Sequence, residues 1–392
     1  MKTPRPILFF ATLAATITSA PAESKHLSKE TQANLSIKLE LARAIERGNQ
    51  WLATQQKAGG HWGDTDYPAL TALPLHAALA DPTRDSATPL PENLEKGFSF
   101  LVDSAKSDGG IYGKGLAVYN TALSMMALLQ KQDPSIQKII TDARRFLTNQ
   151  QSDFDERDKT DNAFDGGVGY GGTYAHSDLS NTHFALEALY YSKRLLDESG
   201  LHKDKSRELD WSAAIEFVQR CQNLTSTNDQ EWASDDPTNK GGFVYFPGDS
   251  KAGEQKLDNG KVALRSYGSM SYAGLLSLIY AELDKDDQRI VAVLKWLRAN
   301  YTLEENPGLG GQGLYYYYHS MAKALRILDM RTLQLKDGSE VDWRRDLAKK
   351  LFDTQQPDGF WVNNTGRWWE NDPVLVTSYA VLTLAHIHEA ME

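Results

Sequence analysis

Cysteine is nearly missing from this chain, Cys221 being the only one in 392 residues. An intrachain disulfide is therefore excluded, and the fold has to be held by its core. Cys221 lies beside Phe217 and Val218 in a helical stretch, where a buried, inert thiol is the expected role. Basic charge is also scarce: 42 Lys and Arg face 52 Asp and Glu, for a net charge of −10. That balance argues against general binding to nucleic acid or anionic lipid. No apolar run is long enough for a stable membrane anchor. The run over residues 7–17 fits a secretory signal instead, with Lys2 and Arg5 before it and Ala20-Pro21-Ala22 as the cleavage site. The expectation is a signal peptide over 1–22, one domain over 23–392, and an exported protein, periplasmic or extracellular. Losing Lys2 and Arg5 would move the net charge from −10 to −12.

What the chain has in abundance is repetition. An aromatic or leucine, a glutamine five residues on, a glycine-rich turn and another aromatic recur six times. The units begin at Trp51, Phe100, Phe146, Phe217, Trp296 and Leu351, and the glutamine position holds Gln56, Ala105, Gln151, Gln222, Tyr301 and Gln356. Each is followed by an apolar run of helical character, at 68–80, 119–129, 179–195, 269–283, 315–328 and 374–387. This reads as helix, turn, helix, six times over. Glycine ends the first helix, and the glutamine amide satisfies open backbone groups there. The second helices carry few charges, as an inner ring requires, while the first helices carry a solvated face. The expected fold is all-α, a single (α/α)6 toroid of inner and outer helices. Two polar insertions, 152–165 and 223–240, fall between glutamine and glycine as loops.

The units at 51–62 and 351–361 resemble the QW repeat of squalene–hopene cyclases and other terpenoid cyclases. GSMSYAGLLSLI, residues 268–279, is similar to a helix of protein prenyltransferase β subunits. The likeness covers about residues 38–388 and implies the six-hairpin toroid; function does not follow from it. Cyclases of this class protonate their substrate with the central Asp of a D-x-D-D motif at the start of an inner helix. Asp284-Lys285-Asp286-Asp287 has that pattern but follows an inner helix, as a solvated turn. Asp64-Thr65-Asp66-Tyr67 and Ala233-Ser234-Asp235-Asp236 each lack one carboxylate. The prenyltransferases hold zinc with Asp, Cys and His. The first two positions fall on Arg265 and Tyr267, and only His319 matches, so neither metal nor other cofactor is expected.

If the units close into a ring, the starts of the inner helices converge. They bring Asp66 and Tyr67, Asn120, Asn181 and His183, Arg265, Tyr267 and Tyr272, Tyr315, Tyr318 and His319, then Arg367, Trp368, Trp369, Glu370 and Asp372. His319, Tyr315, Arg265, Asp66 and Glu370 are the candidates for chemistry, and the others for ligand contact. Asp178 and Asp372 also suit simple helix caps. The adjacent tryptophans could form a platform for sugar rings or isoprenoid chains. Three readings stand open: a protein that binds or transforms an isoprenoid, a polysaccharide lyase or glycoside hydrolase, and a non-catalytic binding or scaffold protein. Oligomeric state is not specified by these features.

Overall fold

The computed structural model describes residues 29–131, 133–171, 176–199, 208–258 and 260–392, so the expected signal segment lies outside the described residues. Twelve α-helices dominate them: α1 (Lys29–Gln55), α2 (Ala69–Leu79), α3 (Glu92–Asp103), α4 (Ala117–Lys131), α5 (Gln137–Thr148), α6 (Leu179–Ser199), α7 (Trp211–Arg220), α8 (Gly268–Tyr280), α9 (Gln288–Ala299), α10 (Leu314–Ile327), α11 (Trp343–Thr354) and α12 (Pro373–Ala390). Two antiparallel strand pairs add little: β1 (Glu254–Lys256) with β2 (Val262–Leu264), and β3 (Leu333–Gln334) with β4 (Glu340–Val341). None of the described helices is long and apolar enough to cross a membrane.

The even-numbered helices are apolar on all sides and buried accordingly. α4 buries every residue from 120 to 128, and α12 every residue from 375 to 387. The odd-numbered ones are two-faced: α5 buries Ile140, Ala143 and Leu147 and turns Lys138 toward solvent. Their packing follows chain order. α2 packs on α4, α4 on α6, α6 on α8, α8 on α10, α10 on α12, and α12 on α2, so the series returns to its start. The buried helices run the same way. Early turns of α4 and α12 meet at the Tyr119 and Tyr379 hydroxyls, 3.2 Å apart, and later turns of α6 and α10 meet at Glu187 and Lys323.

Glutamine stitches four of the six units to the next. Gln56 Nε2 donates to the carbonyls of Gly60 and, in α3, Asn93, at 2.7 Å each. Gln151 and Gln222 repeat the pattern toward Asp210 and Arg289. In the last unit the role falls to Gln355, not the expected Gln356: its Nε2 reaches Gly359 O at 2.8 Å and Ala44 O, in α1, at 3.0 Å. The reason is the spacing to the glycine, four residues in both Gln56–Gly60 and Gln355–Gly359. Gly60, at φ +83°, lies so close to α3 that a Cβ would meet Lys96 O at 2.5 Å; Gly359, at φ +100°, would meet Arg47 O at 2.6 Å. Only glycine fits such an approach. A hydroxyl on the following buried helix then accepts the N–H of the residue after the turn. Thr71 does so for Trp62, Thr121 for Ile111, Thr182 for Val168, Ser271 for Phe243 and Thr377 for Trp361.

Candidate functional site

At the N-terminal ends of the buried helices, most polar residues singled out from the sequence are committed to the backbone. Glu370 is buried, and its carboxylate accepts from the N–H groups of Tyr315 (3.2 Å) and Tyr316 (2.8 Å) and from Asn363 Nδ2 (2.6 Å). It therefore caps α10 from a distance of over fifty positions along the chain. Burial raises its carboxyl, and those donors pull against the rise. Asp372 caps α12 through Val374 N at 2.8 Å. Asp178 caps α6 through Asn181 N at 2.9 Å, while Asn181 Nδ2 holds its other oxygen at 2.8 Å. Burial pushes Asp178 up to about 6. Asn120 ties α4 to α2 by accepting from Ala69 N at 3.0 Å.

The remaining residues separate into an exposed patch and a buried aromatic layer. Asp66 is half-buried, and its carbonyl accepts from Gly113 and Lys114. Tyr67 meets the edge of Trp369, centroids 4.6 Å apart. The Arg367 guanidinium lies 4.4 Å over Trp368 and also donates to Gln312 at 2.6 Å. Trp368 and Trp369 are 43% and 39% exposed, and both sit in the left-handed region at φ 57° and 64°. Arg265 is exposed. Tyr267, Tyr272, Tyr315 and Tyr318 are buried; burial pushes Tyr315 up to about 12 and raises Tyr267 and Tyr272 well above their usual range. Beneath them Phe184 lies between Tyr119 (5.1 Å) and Tyr316 (5.8 Å), and Tyr316 reaches Tyr379 (5.9 Å).

His183 and His319 belong to a different place. One turn further along their helices stand Glu187 and Lys323, and Lys323 Nζ donates to Glu187 Oε1 at 2.6 Å, both side chains buried. His183 Nε2 lies 3.8 Å from Glu187 Oε2. His319 packs on His386, centroids 5.3 Å apart. Burial, with the Lys323 charge behind it, lowers His76 to about 4; burial also lowers His183 to about 4, against the pull of Glu187. Burial alone would raise Glu187, but the Lys323 ammonium, hydrogen-bonded to it, holds its carboxyl below the usual range. Burial lowers His319 and His386 as well, so these four imidazoles are neutral near pH 7 beside one compensated ion pair.

This cluster borders a cavity of about 720 Å³ at the C-terminal ends of the same helices. His76, Met126, Glu187, Lys323, Leu382 and His386 are among its lining residues, and none of the residues singled out from the sequence is. The signal for it was present: Glu187 and Lys323 are ionisable residues inside otherwise apolar helix stretches, each four positions after a histidine. Among the described residues, no group of three or more His, Cys, Asp or Glu is arranged to hold a metal ion. In particular, Arg265 is exposed at one end of the buried helices, whereas His319 lies within the polar cluster.

No family model matches the chain, and no curated protein does. Solved structures do. A product complex of the type II terpene cyclase MstE from Scytonema, with merosterolic acid A, superposes over 91% of this chain and 99% of its own, at 11% identity and a TM-score of 0.52. An MstE complex with its substrate geranylgeranyl dihydroxybenzoate does so at 10% identity and a TM-score of 0.53, with the same coverage. The chain has a terpene cyclase-like fold. Identity this low carries the fold alone. α6 opens with Asp178-Leu179-Ser180-Asn181, which lacks the two adjacent carboxylates that end a D-x-D-D motif. Asp287 caps α9 and pairs with Arg289 at 2.7 Å, which confines Asp284-Lys285-Asp286-Asp287 to a turn.

Proposed function

We propose that this protein is an exported (α/α)6 toroid that takes up an isoprenoid or similarly apolar small molecule in a central cavity between its inner helices. The observation that carries the reading is the 720 Å³ cavity in a terpene cyclase-like fold. Small-molecule sites run to roughly 300–1,000 Å³ and are mostly apolar with a few placed polar groups, and this wall combines Leu79, Met126 and Leu382 with His76 and His386. Closure of the toroid is supported by α12 packing on α2 and by Gln355 reaching α1. Cyclisation by an initiating acid is not part of the reading, because no D-x-D-D motif opens an inner helix and both oxygens of Asp178 are engaged by Asn181.

The test is extraction of the purified protein and mass spectrometry of the apolar fraction, followed by binding titration with a geranylgeranyl compound. Ala80→Trp, which adds bulk at the cavity wall, should weaken uptake at least tenfold. Unchanged affinity in that variant would place the ligand elsewhere and remove the reading. Export is tested by fractionating cells and determining the N-terminal residue of the mature protein.

A second reading has one observation in its favour. Trp368 and Trp369, with Tyr67 and Arg367, form an exposed aromatic surface of the kind that stacks on sugar rings. An oligosaccharide panel scored by tryptophan fluorescence tests it, and no quenching by any member would eliminate it.

A further inference from the structure

Among the described residues lining the cavity, Lys323 is the one primary amine. It stands on the wall beside Glu187, and the two side chains keep 7% and 4% of their surface accessible, so the pair is open to the cavity. The ring sets its position. α6 and α10 are not adjacent, since each packs on α8, and the 2.6 Å contact from Lys323 Nζ to Glu187 Oε1 spans the interior between them. Around the pair the wall is apolar, with Leu79, Met126, Leu128 and Leu382. Arg326, also on the wall, pairs with Glu389 at 2.7 Å, and these two side chains are far more exposed.

Stability does not call for such a pair, because apolar residues in its place are often neutral or stabilising. What the pair restricts is the ligand. An anion would draw Lys323 away from Glu187, and a cation would draw Glu187 away from Lys323. Either leaves a buried charge unmatched, which is strongly unfavourable. Condensation of an aldehyde with the amine joins a ligand to this wall and keeps both charges in place. The ammonium gives a proton to Glu187, and the freed lone pair bonds to the aldehyde carbon as the carbonyl π pair moves to oxygen. That oxygen takes one proton from the nitrogen and a second from Glu187, then leaves as water while the nitrogen lone pair closes the C=N bond. Aldehyde, ammonium and carboxylate thus become iminium, carboxylate and water, with the positive charge still on Nζ. Lysine suits this step because its amine can give up its proton, which a guanidinium does not.

We propose that the cavity binds an isoprenoid aldehyde covalently, as a protonated imine of Lys323 with Glu187 as its counter-charge. The proposal rests on the isoprenoid reading above and adds to it the head group and the bond. The apolar wall takes the chain of the ligand, and the carboxylate beside Nζ favours the charged form of the imine.

The test uses two probes that differ only in the head, all-trans-retinal and all-trans-retinol, on the full chain. Borohydride reduction turns an imine into a stable secondary amine, so peptide mass spectrometry reads which lysine carried the retinal. Labelling at Lys323 should exceed that at any other lysine by about tenfold or more, with the long-wavelength absorption of a protonated imine near pH 7. Retinol should bind without labelling. Lys323→Arg keeps a cation beside Glu187 but cannot form an imine, so it should abolish the labelling and leave retinol affinity within about twofold. Labelling confined to other lysines overturns the proposal, and so does retinol binding with no reducible adduct of retinal. Absorption of a neutral imine at Lys323 overturns the role of Glu187. Failure of both probes to bind removes the isoprenoid reading itself, so the two failures are distinct. If Lys323→Arg does not fold, the labelled position on the unaltered chain decides.

Discussion

Acid should unfold this protein steeply, and the cause is the set of neutral imidazoles in its core. His76 and His183 have folded values of about 4 against an ordinary value of 6.5, and His319 and His386 are lowered in the same direction. Below pH 6.5 the unfolded chain binds a proton at each histidine while the folded chain does not. Stability is therefore fully present above pH 6.5 and lost as pH falls toward 4. Between pH 7.5 and 5, His76 and His183 each forfeit roughly 2 kcal/mol at about 1.4 kcal/mol per pH unit, and His319 and His386 add to the loss in the same direction. Asp178 works the other way, because its folded value of about 6 lies above the ordinary 3.8, and it returns roughly 1.4 kcal/mol over the same interval. The net loss from His76, His183 and Asp178 alone, roughly 3 kcal/mol, is a large part of a typical domain's stability. Guanidinium unfolding at pH 7.5, 6 and 5, followed by far-ultraviolet circular dichroism, measures it. His76→Gln should lower the slope by about one proton. A stability that changes by less than about 1 kcal/mol across this range would refute the reasoning.

Four further outcomes follow from the same contacts. Lys323→Met leaves Glu187 as an unpaired buried charge and should cost about 3–5 kcal/mol, while the double variant Lys323→Met/Glu187→Leu should recover most of it; equal loss in both would show that the pair is not coupled. Glu370→Leu strips the N–H groups of Tyr315 and Tyr316 of their acceptor and should lower stability by about 2 kcal/mol; a thermal midpoint shift within error would contradict the capping role. Gln355→Ala should cost about 1–2 kcal/mol, with Gln356→Ala costing less; the reverse order would restore the original register of the sixth unit. Trp368→Gly trades ring packing on Arg367 and Gly313 for relief at φ 57°, so chemical denaturation should detect a change below about 1 kcal/mol.

The helices were legible because each was written twice, in periodicity and in repetition. The run expected at 179–195 is α6 (Leu179–Ser199), and the run at 374–387 is α12 (Pro373–Ala390). Register was harder. In the sixth unit Gln355 and Gln356 are adjacent amides, and only the four-residue span to Gly359 separates them. The recurring hydroxyls Thr71, Thr121, Thr182, Ser271 and Thr377 went unread, because Ser and Thr in an apolar helix look like ordinary small residues until their partners are known. The cavity was hidden for another reason. Its wall draws single residues from the later turns of several helices, whereas the pattern drew the eye to dense polar clusters at their starts.

Those clusters have a physical cause that competes with function. Six helices running in one direction present their open N–H groups at one end, and each start needs an acceptor. Carboxylates such as Asp178, Glu370 and Asp372 gather there because capping requires them. The opposite end presents open carbonyls and favours cations, and it is there that Lys323, Arg326 and His386 are found. Convergence of polar residues at helix starts is thus expected of this fold whatever it binds. What the fold does not require is an ion pair and several imidazoles among apolar side chains near the other end. Buried groups of that kind reduce stability unless they are answered. The polar atoms of His386 are not answered by the chain, so that end carries a cost that helix capping does not explain.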